Sequence, residues 1–215
     1  MRLFLSALLA ATVAAHAGTE LLGFVKDGKS AKEVLVDKSP FDKGHTELEI
    51  GAGALASLNT NGSLTRPDTG YAIGQVRFGM MLYSPAGPGI LRGNLEGIVE
   101  GYGAYIFNGP GQQLYGAGII LRYNFVQPQS RIVPFAQLMF GGAYCDAAHD
   151  DSVQRLLGSD FSFSFGGEVG ARYFLTPKLA LTGGVEYRHL SNANTADRNV
   201  GLNGLGGTLE LSWFF

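Results

Sequence analysis

Residues 184–215 read "GVEYRHLSNANTADRNVGLNGLGGTLELSWFF". Taken in steps of two, Val185, Tyr187, His189 and Ser191 share one face of a strand, and Glu186 and Arg188 take the other. On a soluble sheet the apolar face is the dry core, where a histidine and a serine would need partners. Which solvent that face meets therefore decides both the fold and the meaning of the pair. The last strand repeats the pattern, with Leu205, Leu209, Leu211, Trp213 and Phe215 against Thr208, Glu210 and Ser212.

The same alternation runs back to Thr46 in segments of roughly ten residues separated by turn residues. Leu48, Ile50, Ala52 and Ala54 oppose Glu47 and Glu49, and Val76, Phe78, Met80 and Leu82 oppose Gln75 and Arg77. Leu91, Leu95 and Val99 oppose Arg92, Asn94, Glu96 and Glu100, while Tyr115, Ile119, Leu121 and Tyr123 oppose Arg122 and Asn124. In "RIVPFAQLMFGGAY" Pro134 and Gln137 blur the parity. In "FSFSFGGEVGARYF" Phe161, Phe163, Phe165, Val169 and Tyr173 oppose Ser162, Ser164, Glu168 and Arg172.

Eight such strands do not suit a soluble sandwich, whose wet faces should carry lysine; a soluble, lipocalin-like barrel is the alternative. Here the strand cations are arginines, and Lys178 is the one lysine beyond residue 43. Arginine's planar fork suits enclosed carboxylate pairs, and an eight-stranded barrel is just wide enough inside to be filled by side chains. The pattern predicts an all-β fold: an eight-stranded antiparallel up-and-down transmembrane barrel over residues 46–215, filled with charged side chains and apolar toward lipid. The expected short turns are "SPAGPG", "VQPQS" and "TPK", with longer alternate connections, notably Cys145–Asp160 and Asn192–Asn203. Tyr71, Tyr83, Tyr115, Tyr123, Tyr173 and Trp213 fit interfacial girdles, and the terminal Phe215 resembles the sorting signature of bacterial outer-membrane barrels.

The chain begins with Arg2, an apolar stretch and Ala15-His16-Ala17, the pattern of a secretory signal peptide over residues 1–17. Residues 18–45 hold five of the six lysines and read as a periplasmic extension. With 215 residues, 32 of them glycine, and 16% charged, the chain fits one domain, and a barrel of this length need not be split. The net charge of −2 gives no footprint for nucleic acid. One cysteine, Cys145, excludes an internal disulfide framework and reads as an incidental loop thiol; Met80, Met81 and Met139 read as lipid-facing or packing residues. The four histidines lack metal-ligand spacing, so neither a metal nor a cofactor is expected.

With a periplasmic N-terminus, strand seven runs outward and delivers His189 and Ser191 to the outer leaflet. Asn203, which opens strand eight, shares the parity of Leu205 and Leu209 and also faces lipid. Polar groups there are costly unless paired or used. "HLSNAN" followed by "NVGLN" resembles the His-x-Ser-Asn hairpin of the PagL-type lipid A 3-O-deacylases, with weaker likeness in "PFAQLMFGGAY" and "FGGEVGARYF". The resemblance implies an outer-membrane esterase acting on lipid A of lipopolysaccharide, and a homodimer is compatible with it. It also implies Ser191 as nucleophile, His189 as base, and Asn203 where the family has an acid. Asn192 and Asn199, or backbone amides of the loop, would stabilise the oxyanion. The spacing alone places His189 and Ser191 roughly 6–7 Å apart on one face. The alternatives are a non-enzymatic structural or adhesion barrel and a calcium-dependent phospholipase-like barrel; the sequence shows no carboxylate cluster at the outer rim for the latter.

Overall fold

The computed structural model describes residues 39–57, 68–149 and 157–215. The signal-peptide reading and most of the extension lie outside the described residues. Eight strands follow one another: β1 (Thr46–Ser57), β2 (Gly70–Met81), β3 (Asn94–Asn108), β4 (Gln113–Asn124), β5 (Ile132–Cys145), β6 (Phe161–Phe174), β7 (Leu179–Ser191) and β8 (Leu202–Phe214). Each pairs antiparallel with the next, and β8 closes onto β1. Closure removes every free sheet edge, which hydrocarbon could not satisfy. No described helix is long and apolar enough to cross a membrane; the strands do so instead.

The period-two pattern sorts the side chains. Phe78, Val99, Ile119, Leu138, Phe140, Val169, Val185 and Leu209 are exposed on the outside. Among the described residues, seven glutamates and four arginines are buried inside. Arg122 and Arg172 hold Glu47, Glu49 and Glu96, whereas Arg77 and Arg188 hold Glu100, Glu168, Glu186 and Glu210. A 3.8 Å contact between Arg77 and Glu49 joins the two groups. The blurred fifth strand resolves with Val133, Phe135, Gln137 and Met139 buried and Ile132, Pro134, Leu138 and Phe140 outward.

Apolar clusters close this network at both ends. One contains Leu55, Tyr71, Ile73, Ile106, Leu114, Cys145, Leu190 and Leu202; the other contains Phe41, Met81, Val126, Val133, Phe174 and Phe214. Phe41 meets Phe174 and Phe214 edge-on, and the Arg172 guanidinium lies 5.7 Å from its ring centre. Thus residues 39–45 fold under the mouth where β1 begins and β8 ends.

Several expectations change. Tyr71 is not a girdle residue: it shares the parity of Ile73, Gln75 and Arg77 and is fully buried inside. Cys145 is the last residue of β5, buried in the apolar cluster, not a loop thiol. Arg92 is outside the ion-pair network, because it lies in the connection before β3 and donates to the Val126 carbonyl at 2.7 Å. The connection 82–93, centred on "SPAGPG", is long enough to include a 3-10 turn at Gly89–Leu91, while the opposite-side connection 109–112 is short. Loop lengths therefore alternate less cleanly than the turn residues suggest.

Candidate active site

β7 and β8 bring the candidate residues together by register. His189 pairs directly with Asn203, and Leu190 with Leu202. On the other flank Phe165 of β6 pairs with His189, and Phe163 with Ser191. His189, Ser191 and Asn203 are half-buried on the outer face, whereas the intervening Leu190 points into the barrel. The imidazole stacks obliquely on Phe165, ring centres 4.7 Å apart, so one face of the ring is covered.

Asn203 joins two groups. Its Oδ1 lies 2.5 Å from His189 Nδ1 and accepts the Tyr187 hydroxyl at 2.9 Å. With that oxygen as acceptor, Nδ1 carries the proton and Nε2 keeps its lone pair, the tautomer a general base requires. Gly201, with φ of +72°, borders the free edge of the ring: a Cβ there would lie 3.1 Å from His189 Cε1. Neither that backbone conformation nor that space suits a side chain.

Ser191 is held differently. Its hydroxyl donates to Asn199 Oδ1 at 3.0 Å and accepts the Ala193 backbone N–H at 3.2 Å. The structure thus gathers His189, Ser191 and Asn203 on one patch but does not link the serine to the imidazole. Rotation of the serine away from Asn199 is needed to make that bond, and catalytic hydrogen bonds commonly tighten only when substrate is bound. Ala193 and Asn194 have φ of 53° and 62°, and Thr195 N donates back to Asn192 O at 3.0 Å, a turn with both central residues left-handed. This turn aims the Ala193 N–H at the serine oxygen.

The two other asparagines serve the loop. Asn192 is buried, donating from Nδ2 to the Arg198 carbonyl at 2.7 Å and accepting Asn194 N at 3.0 Å. Asn199 accepts Asn192 N at 3.1 Å as well as Ser191, and donates to Asn194 Oδ1 at 3.0 Å. The Gly158 N–H donates to Arg198 O at 2.9 Å, so the β5–β6 connection braces the same loop.

Beneath the polar patch runs an apolar groove of about 670 Å³, which the sequence reading missed. It lies between two rows of paired residues, one running through Leu205, Tyr187, Gly167, Leu138 and Leu121, the next through Val185, Val169, Ala136, Tyr123 and Leu95. The small residues Gly167 and Ala136 keep it open. The row above holds Asn203, His189 and Phe165. No metal-ligating group of three acidic, histidine or cysteine residues occurs among the described residues.

A closed, lipid-facing eight-stranded barrel with a sealed interior is an outer-membrane barrel, and comparison with known proteins places it more narrowly. The family model described as lipid A 3-O-deacylase (PagL) matches residues 74–212, and the chain belongs to that family. The matched span includes His189, Ser191 and Asn203. The crystal structure of the outer membrane enzyme PagL is similar to this chain with a TM-score of 0.55 at 17% identity, covering 75% of this chain and 97% of that one. Neisserial surface protein A gives 0.48 at 21% identity, with 80% and 96% covered. The outer membrane protein OprG from Pseudomonas aeruginosa gives 0.49 at 12%, with 83% and 99% covered. A search of curated protein sequences finds no match.

Proposed function

We propose that this protein is an outer-membrane esterase that removes the 3-O-linked acyl chain from lipid A, with Ser191 as nucleophile and His189 as general base. The observation that carries the reading is the His189 Nδ1–Asn203 Oδ1 contact at 2.5 Å on the lipid-facing surface, two residues from a serine. A buried hydrogen bond in a soluble core would be unremarkable; here it prepares a base where acyl esters reside.

In the proposed reaction Ser191 turns from Asn199 toward Nε2, gives up its proton and attacks the ester carbonyl. His189 then returns the proton to the sugar 3-oxygen as it leaves, and water hydrolyses the acyl-serine by the reverse proton path. The Ala193 N–H, already beside the serine oxygen, is the best-placed oxyanion donor. Asn192 and Asn199 shape the loop; each amide spends one N–H on a loop partner and has a second with which to join the oxyanion. The groove beneath His189 receives the scissile acyl chain. Asn203 fixes the tautomer but cannot offset imidazolium charge as a carboxylate would.

The test is mass spectrometry of lipid A from cells with and without the protein, and release of fatty acid by purified protein in detergent without added metal. Wild type should release the 3-O-acyl chain; Ser191→Ala and His189→Ala should each reduce release by at least about 100-fold. Retained release by Ser191→Ala refutes the serine assignment. Absence of release by wild type from every lipid tested favours a second reading, a structural or adhesion barrel, whose motivating observation is that the Ser191 hydroxyl is bonded to Asn199.

A further inference from the structure

We infer that Tyr187 is a positioning residue that sets the tautomer of His189 by dictating which end of the Asn203 amide faces the imidazole. The inference rests on the proposed role of His189 as base. An amide, unlike a carboxylate, has two unlike ends. If Oδ1 faces the ring, Nδ1 is the donor and Nε2 is free to take the serine proton. If the amide turns over, Nδ2 donates to Nδ1, the ring proton moves to Nε2, and the base is blocked.

The Tyr187 hydroxyl decides between the two. It lies diagonally across β7 and β8 from Asn203, on the same outer face as His189, and reaches Oδ1 at 2.9 Å. With the carbonyl inward, both the phenol and Nδ1 donate to one oxygen, so the hydroxyl and ring protons each have an acceptor. With the amide reversed, Nδ2 donates toward the phenol oxygen and the phenol proton loses that acceptor. At a lipid-facing position with little water, an unpaired O–H is costly. Tyr187 thus supplies the orientation that a symmetric carboxylate at position 203 would not require.

The test is Tyr187→Phe, which keeps the ring beside the groove and removes only the hydroxyl. The ¹⁵N spectrum of histidine-labelled protein in detergent reports the tautomer, with the His189 signal assigned by its loss in His189→Ala. Folding is checked by heat-dependent gel mobility. Wild type should show protonated Nδ1; Tyr187→Phe should shift population toward protonated Nε2 and lower kcat by about tenfold with KM little changed, the scale of one neutral hydrogen bond. In the Asn203→Glu background the same substitution should cost less than about twofold, because both carboxylate oxygens accept. An unchanged tautomer in Tyr187→Phe overturns the inference. So does an equal kcat loss in the Asn203→Glu background, or a change in KM alone, which would mark Tyr187 as a lipid contact. If wild type hydrolyses no lipid, the esterase reading fails, while the tautomer measurement still decides whether Tyr187 controls the ring.

Discussion

Removing Arg122 should unfold the barrel interior more effectively than any change on its surface. The guanidinium is fully buried and donates to Glu49 through both terminal nitrogens at 2.8 Å, to Glu47 at 3.0 Å, and through Nε to Gln137 at 2.5 Å. In Arg122→Met the chain fills similar space, but Glu47, Glu49 and Glu96 then share Arg172 as their nearest remaining partner. Breaking one side of a buried ion pair costs about 3–5 kcal/mol, chiefly through the charge left unpaired. That is a large fraction of the 5–15 kcal/mol typical of a folded domain. Adding Glu49→Gln removes one stranded charge and should recover at least about 2 kcal/mol. Urea-induced unfolding in detergent micelles or vesicles, followed by tryptophan fluorescence and gel mobility, measures both. A loss below about 1 kcal/mol in Arg122→Met, or no recovery in the double variant, would show that the network is hydrated and contributes little.

Three further outcomes follow from particular contacts. Gly201→Ala should lower deacylation at least about tenfold while leaving a folded barrel, because its methyl meets His189 Cε1 at 3.1 Å and its φ is +72°; wild-type kinetics would show that the ring edge is not the working edge. Ala193→Gly should stabilise the hairpin by about 0.5–1 kcal/mol, since a left-handed residue at φ 53° loses its Cβ penalty, and denaturant midpoints would read this. The protein should pass no porin-scale current in planar bilayers, because apolar clusters close both ends of the charged interior; open-channel conductance would contradict the packing.

Parity carried most of the architecture into the sequence, since a one-residue slip exchanges the lipid and interior faces of a whole strand. That is why Glu186 and Arg188 separate from His189 and Ser191 without any knowledge of pairing partners. Parity assigns a face but not a depth or a content for the interior. Tyr71, Leu55 and Ile73 point inward like Arg77 yet lie above the ion pairs, so their apolar character misleads when lipid is assumed to own every apolar side chain. Arg92 looked equivalent to Arg122 because its strand was extended too far back; the 3-10 turn at Gly89–Leu91 interrupts the alternation first. In the site, the register His189–Asn203 was within reach of the hairpin pattern. Tyr187 was visible at the same parity two residues earlier, but its link to Asn203 depends on a cross-strand diagonal. The Ser191–Asn199 bond was not legible, because a loop rotamer leaves no periodic signal.

The amide at position 203 has a physical consequence that separates stability from rate. A carboxylate on the outer surface must be kept ionised beside lipid, where it is paired only when the imidazole is protonated; a neutral amide incurs much less desolvation in the resting protein. In the transition state of the proposed reaction the balance would reverse, because an imidazolium formed by proton transfer would be stabilised by a charge that Asn203 lacks. Asn203→Glu should therefore preserve or raise kcat while lowering the unfolding free energy by up to about 1 kcal/mol, the scale of charge placement near a membrane interface. The longer side chain still reaches Nδ1 only if Tyr187 and Gly201 leave room, so kcat is read together with the ¹⁵N tautomer. Lower activity with an unchanged tautomer would mean that imidazolium charge is already balanced elsewhere, and the stated role of position 203 would have to be abandoned.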